Sequence, residues 1–293
     1  MGCVTFNPTY STLAPTTIRT QSVESSFLYL HCDSAADAVD EILSRENPQH
    51  IAFGETHPMA DEILSTSPML FFANNLFPFL AQKDKGFSGG VVEGLYSDDF
   101  ANKLLKSYLL NLGPAAALKS TYYTSNINYA PAIRGLLTSA RERHVLILGG
   151  SVKRSDPERA YGNGQQDYPY SKRRELWMKT AVRMAEQIAY LRAHTSGRTF
   201  SYGGGSHNDK VVIEKGISIW EHNGIKKDAY VEVDLLSPEV MQPNKYGTYD
   251  YPEYSVWLQN AVPKEGVTLV VRGNRSYSII FPEKVLYVPA PTE

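Results

Sequence analysis

The chain has 293 residues, 42% of them hydrophobic and 20% charged, which is enough apolar material for a substantial core and argues against global disorder. Lys and Arg number 29 against 31 Asp and Glu, so the basic excess of a phosphate-neutralising protein is missing and no nucleic-acid partner is expected. No stretch approaches the roughly 18–20 uninterrupted apolar residues of a membrane span. The two cysteines, Cys3 and Cys32, make neither a disulfide framework nor a cysteine-based zinc site.

The first 26 residues stand apart, with ten Ser or Thr and no acidic residue before Glu24. Such a segment buries too little apolar area to offset the entropy of ordering it, so residues 1–27 are expected to form a flexible tail ahead of a folded domain over 28–293. No basic run followed by an apolar stretch opens the chain, which argues against an ordinary secretory signal. Met1-Gly2-Cys3 offers a second route: a myristoyl chain on Gly2 and a palmitoyl chain on Cys3 would together give stable membrane association. The myristoylation motif asks for Ser or Thr at position six, where this sequence has Phe6, so the unmodified form is expected.

From residue 28 onward short β-branched runs alternate with helical patterns. Strands are expected at His50–Gly54, Gly90–Glu93, His144–Gly149 and Thr199–Gly203, each brief, apolar and closed by or near glycine, as fits strands buried on both faces. Helices are expected over 60–83, 97–111, 129–142 and 170–194. In the last, Leu176, Ala181, Val182, Ala185, Ile188, Ala189 and Leu191 recur near helical spacing. This alternation indicates βαβ units. Further strands are expected at Ala229–Leu236, Gly266–Arg272 and Tyr277–Phe281, with a hairpin turn at Gly273–Ser276 and a tyrosine-rich loop over 242–254. The expected fold is a single α/β domain: a central, mainly parallel sheet flanked by helices, with a C-terminal β-hairpin region.

In such a sheet the loops leaving the carboxyl ends of the strands converge on one edge, where ligands bind. The first strand runs into Glu55-Thr56-His57, the second ends in Glu93-Gly94, and the fourth runs into Gly204-Gly205-Ser206-His207. Two histidines just beyond buried strands, each three residues after a glycine, could face one another across a cleft. His57 as general base, with Glu93 or Glu55 orienting it, would activate water for attack on an ester or amide. The same groups could instead hold a divalent metal, or serve only as hydrogen-bonding and capping residues at strand ends.

Other groups are weaker. Gly162-Asn163-Gly164 lacks the strand and helix of a dinucleotide site. Ser151, Ser201 and Ser206 sit in no Gly-x-Ser-x-Gly elbow. Lys153, Arg154, Lys172, Arg173 and Arg174 form a basic cluster, read as solvated surface or as a seat for an anionic substrate group. His31, His50, His144, His194 and His222 are read as structural.

Ile51–His57, Val91–Gly94 and the glycine-rich strand end at His207 together resemble the EreA/ChaN-like superfamily of erythromycin esterases, ChaN haem-binding proteins and their Tiki/TraB relatives. Arg174–Lys179 is similar to a further segment of that family, and the resemblance covers roughly residues 48–215. It implies Glu55, His57, Glu93 and His207 as catalytic residues, with His57 activating water. Gly54–His57 and Gly204–His207 also match the paired Gly-x-x-His motifs of the Tiki-type metal enzymes, which leaves a divalent metal or haem open as cofactor. The esterase pattern has one more residue between its Glu and His. With its Ser/Thr-rich, acid-free tail, the chain looks like the HopBA type of Pseudomonas syringae type III effector. That resemblance implies export into the host cell, provocation of plant cell death, and recognition by a plant immune receptor. The alternative is a non-catalytic module on the same fold that binds a host protein or haem.

Overall fold

The computed structural model describes residues 4–6, 27–55, 68–122, 129–156, 170–208, 217–222, 224–242 and 253–282. Its strands are β1 (Val4–Phe6), β2 (Leu28–Cys32), β3 (His50–Glu55), β4 (Phe87–Tyr96), β5 (Leu146–Ser151), β6 (Arg198–Gly204), β7 (Tyr230–Leu236), β8 (Val267–Gly273) and β9 (Ser276–Ile280). They form one nine-stranded sheet in the order β1-β2-β8-β9-β7-β3-β6-β4-β5. The pairs from β9 through β7, β3, β6 and β4 to β5 are parallel. The pairs β1–β2, β2–β8 and β8–β9 are antiparallel.

The helices are α1 (Ala35–Glu46), α2 (Pro68–Phe71), α3 (Phe77–Leu80), α4 (Asp99–Leu109), α5 (Tyr129–Arg143), α6 (Tyr170–His194), α7 (Gly205–Asn208) and α8 (Tyr254–Asn260). A π turn over Phe72–Leu76 joins α2 to α3. Because successive strand residues point to opposite faces, the central strands feed two cores. Ile51, Phe53 and Tyr202 pack with the α1, α2, α3 and α5 side chains. Ala52, Val91 and Leu148 pack against Met184, Ala185, Ile188 and Leu191 of α6. Glycine at 90 makes room for Phe200 in the first of these cores, since a Cβ there would lie 2.1 Å from its ring.

The α/β fold and parallel centre agree with the sequence, with four differences. The C-terminal hairpin is no appendage: β9 lies parallel to β7, and β8–β9 carries the sheet onward to β2. Its turn places Asn274 and Arg275 at φ 50° and 62°, the left-handed pair that a tight hairpin requires. Tyr254, assigned to a loop, opens α8, where Tyr254 and Trp257 are buried. Ala189 of α6 is exposed, and Met184 takes the core position. Val4–Phe6, assigned to the flexible tail, pairs with β2 as an edge strand; residues 7–26 lie outside the described set. Cys32 is buried and disulfide-bonded. Cys3, the other cysteine of the sequence, lies outside the described residues. Among the described residues no helix is long and apolar enough to cross a membrane.

Candidate active site

The central strands β7, β3, β6 and β4 are neighbours, and their carboxyl ends gather the polar groups. In register, Gly54 lies beside Gly203, and Glu55 beside Gly204. Glycine at 203 leaves room for Glu93, because a Cβ there would stand 2.5 Å from Glu93 Oε2. The space it leaves is filled by the Glu93 carboxylate, whose Oε2 accepts the Gly204 N–H at 2.7 Å. Glu93 Oε1 lies 3.6 Å from His207 Nε2.

His207 sits on the one-turn helix α7, directly after β6, and is buried. Its Nδ1 is 2.9 Å from the Ile217 carbonyl oxygen. A carbonyl only accepts, so Nδ1 carries hydrogen and donates, and Nε2 is the nitrogen turned to Glu93. Neutral His207 therefore presents a lone pair on Nε2, and protonated His207 presents an N–H toward a carboxylate. This is the geometry of a side chain that can take up and return a proton.

Glu55 occupies the other face. It ends β3 and is 2% exposed, and Tyr202 on β6 donates its phenolic hydrogen to Glu55 Oε2. Burial, reinforced by Glu55 and then by Glu93, pushes the Tyr202 phenol well above its usual range, so it stays protonated and remains a donor. Tyr202 thus feels both carboxylates, one on each face of the sheet. Phe72 fixes its ring, with centroids 4.6 Å apart.

Of the four residues expected at the site, Glu93 and His207 are brought together, and Glu55 lies one strand away on Tyr202. His57 lies outside the described residues, as do Gly162-Asn163-Gly164. No three His, Cys, Asp or Glu side chains converge as a metal site among the described residues. Glu93 and His207 supply two donors of the right chemistry for a divalent cation. In the basic cluster, Arg154 is tied to Asp98 and Lys172 to Glu175. Buried His50 is structural, held by Thr199 Oγ1 at 2.9 Å and Ser201 Oγ at 3.1 Å.

Two residues at this edge escaped the sequence reading. Tyr202 was visible only as part of a strand. Asp234 on β7 lies in register with Gly54, and its Oδ1 would be 3.8 Å from a Cβ at Gly205. Burial raises its carboxyl to about 7; Arg272 opposes the shift, and Glu232 and Glu253 add to it. Two acids, Glu232 and Asp234, alternating with the apolar residues of Val231–Leu236 in a strand read as buried, are the signal that could have found it.

No family model matches the chain, and no curated protein matches its sequence. Some solved structures are similar to it at low identity. The type III effector HopBA1 is similar at 12% identity and a TM-score of 0.48, covering 86% of this chain and 94% of that one. An erythromycin esterase, EreC, in its open conformation is similar at 10% identity and a TM-score of 0.49, covering 83% and 93%. ChaN of Campylobacter jejuni is similar at 16% identity and a TM-score of 0.41, covering 72% and 92%.

Proposed function

We propose that this protein is a bacterial type III effector with a hydrolase-like EreA/ChaN fold, which acts inside plant host cells and provokes cell death through its His/Glu cleft. The observation that carries this reading is the Glu93–His207 contact, closed by the Gly204 N–H on one carboxylate oxygen. Buried ionisable groups cost stability unless they are used or fully satisfied. In this reading His57 activates water for attack on an ester or amide with Glu93 or Glu55 orienting it, and His207, beside Glu93, moves a proton. A divalent metal, if one is bound, would be held by His57, His207 and Glu93, and would polarise the bond to be cleaved. The host partner is a plant immune receptor.

The test is a cell-death assay in leaf cells comparing wild type with His57→Ala and His207→Ala, at matched protein level and melting temperature. Loss of the response in both supports the cleft, and full response in both overturns it.

A second reading, a non-catalytic binding module, is favoured by the exposure of Phe100, Leu110 and Leu112 at the two ends of α4. In that case Phe100→Ser and Leu112→Ser abolish the response while the histidine variants retain it.

A further inference from the structure

Phe53 and Glu55 follow one another on the face of β3 that meets α1, α2, α3 and α5. Tyr202 lies in register with Phe53 on one side and with Val92 on the other, and it shares that face. Its hydroxyl reaches two residues farther along β3 and donates to Glu55 Oε2. The ring is walled in: it packs on Phe72 with centroids 4.6 Å apart, and Phe72 packs on Phe53 at 5.1 Å. A phenol has one hydrogen to give. Burial first, then Glu55 and Glu93, keep that hydrogen on the oxygen. Glu55 is the only partner of the hydroxyl among the described residues, and turning the hydrogen away would strand a donor in the core. Oε2 must therefore accept, and a proton taken up by Glu55 can reside only on Oε1. The tyrosine thus distinguishes two oxygens that are otherwise chemically alike. On the opposite face of the sheet, Glu93 has a backbone N–H, that of Gly204, on its Oε2 instead.

We propose that Tyr202 is a positioning residue for Glu55: it holds Oε2 against β6, fixes the plane of the carboxyl group, and leaves Oε1 as the oxygen that serves the cleft. The inference deepens the cleft reading and rests on it, since Glu55 is there one of the two carboxylates able to orient His57. Tyr202 is 1% exposed, too deep to meet a substrate, so it acts through Glu55 alone. Removing the hydroxyl leaves the ring on Phe72 and the sheet in register. It frees the carboxyl to turn about its last side-chain bond, and either oxygen can then face the cleft.

The test reads the carboxyl group itself, in the full chain. Protein carrying 13C at the glutamate side-chain carboxyl is compared with Tyr202→Phe, and the Glu55 signal is assigned by its loss in Glu55→Gln. Tyr202→Phe is expected to shift that signal while the Glu46 and Glu232 signals stay in place. It is also expected to lose the leaf-cell response at matched levels of folded protein. Tyr202→4-aminophenylalanine, which offers an N–H from the same place, is expected to return the Glu55 signal toward wild type. Wild type alone supplies a further measurement, needed should the variants fold poorly. With 13C at the tyrosine Cζ, the Tyr202 hydroxyl proton is expected downfield and slow to exchange with water. Absence of that proton overturns the inference, as does a Glu55 signal unmoved in Tyr202→Phe or unrestored by the amine. A full leaf-cell response from Tyr202→Phe, where the histidine variants lose theirs, overturns it too. A full response from both His57→Ala and His207→Ala would instead overturn the cleft reading, and would leave the bond between tyrosine and glutamate standing.

Discussion

Tyr202 donates its phenolic hydrogen to Glu55 from the adjacent strand, while Phe72 closes over its ring. The hydroxyl is the polar atom and the ring is the packing atom group, so the two roles are separable. Tyr202→Phe is expected to preserve the fold and to cost about 1–3 kcal/mol, the usual range for removing one partner of a buried hydrogen bond. Urea denaturation reads the cost. A variant as stable as wild type would show that Glu55 is sustained without this donor.

The fit of Gly203 against Glu93 predicts a coupling. Gly203→Ala is expected to destabilise by about 1–3 kcal/mol, because its methyl enters the Glu93 carboxylate. In a Glu93→Ala background the same substitution should cost markedly less. A double-mutant cycle measures the difference, and strict additivity would deny the contact. Glu93→Gln, which keeps an oxygen for the Gly204 N–H, should hold the wild-type melting temperature while the leaf-cell response falls.

Two buried groups titrate in opposite senses. Burial, with Arg192 adding to it, lowers His50 from 6.5 to about 3. The unfolded chain takes that proton first, so this contribution is present above pH 6.5 and lost as pH falls toward 3. Burial raises Asp234 from 3.8 to about 7 against the pull of Arg272, with Glu232 and Glu253 adding to the rise. Its contribution is present below pH 3.8 and lost as pH rises through 7. Where the windows overlap, the two proton balances cancel. Asp234→Asn should then uncover stability that rises with pH at about 1.4 kcal/mol per unit, and His50→Gln a fall of the same size. Denaturation curves across the overlap check both slopes, and equal slopes in the two variants would contradict the assignment.

Asp98 caps α4 by accepting the Ala101 N–H at 2.9 Å, and it receives Arg154 Nε at 2.9 Å and Nη2 at 2.6 Å. Burial alone would raise its carboxyl. The bonds from Arg154 and Ala101 outweigh burial and hold it at about 2. Its contribution is thus present above pH 3.8 and lost as pH falls toward 2. Asp98→Ala should cost about 1–3 kcal/mol, combining a lost cap with a partly buried ion pair. Asp98→Asn, still a good cap, should cost less. Thermal melts at neutral pH rank the two, and an Asn variant no more stable than the Ala variant would show that the cap contributes nothing.

Much of the fold was legible because its signals are local. The α6 span over 170–194 follows from helical periodicity, and β3 and β6 follow from short apolar runs beside glycine. Glu93 and His207 could be named for the same reason, as polar groups directly after buried strands. The register that joins them could not be read. The hydrogen bond from Gly204 to Glu93 spans more than a hundred positions and depends on β4 lying beside β6.

The sequence by itself determined the α/β class, the main strands and helices, and three strand ends rich in Glu and His, because these depend on residues close together in the chain. Tertiary structure alone decided that β9 inserts beside β7, that Glu55 and Glu93 serve opposite faces of the sheet, and that Tyr202 and Asp234 join them. The reason is geometrical. A strand offers its residues to two faces by parity, but which strand lies next to it, and in what register, is settled only when the whole sheet packs between its helices.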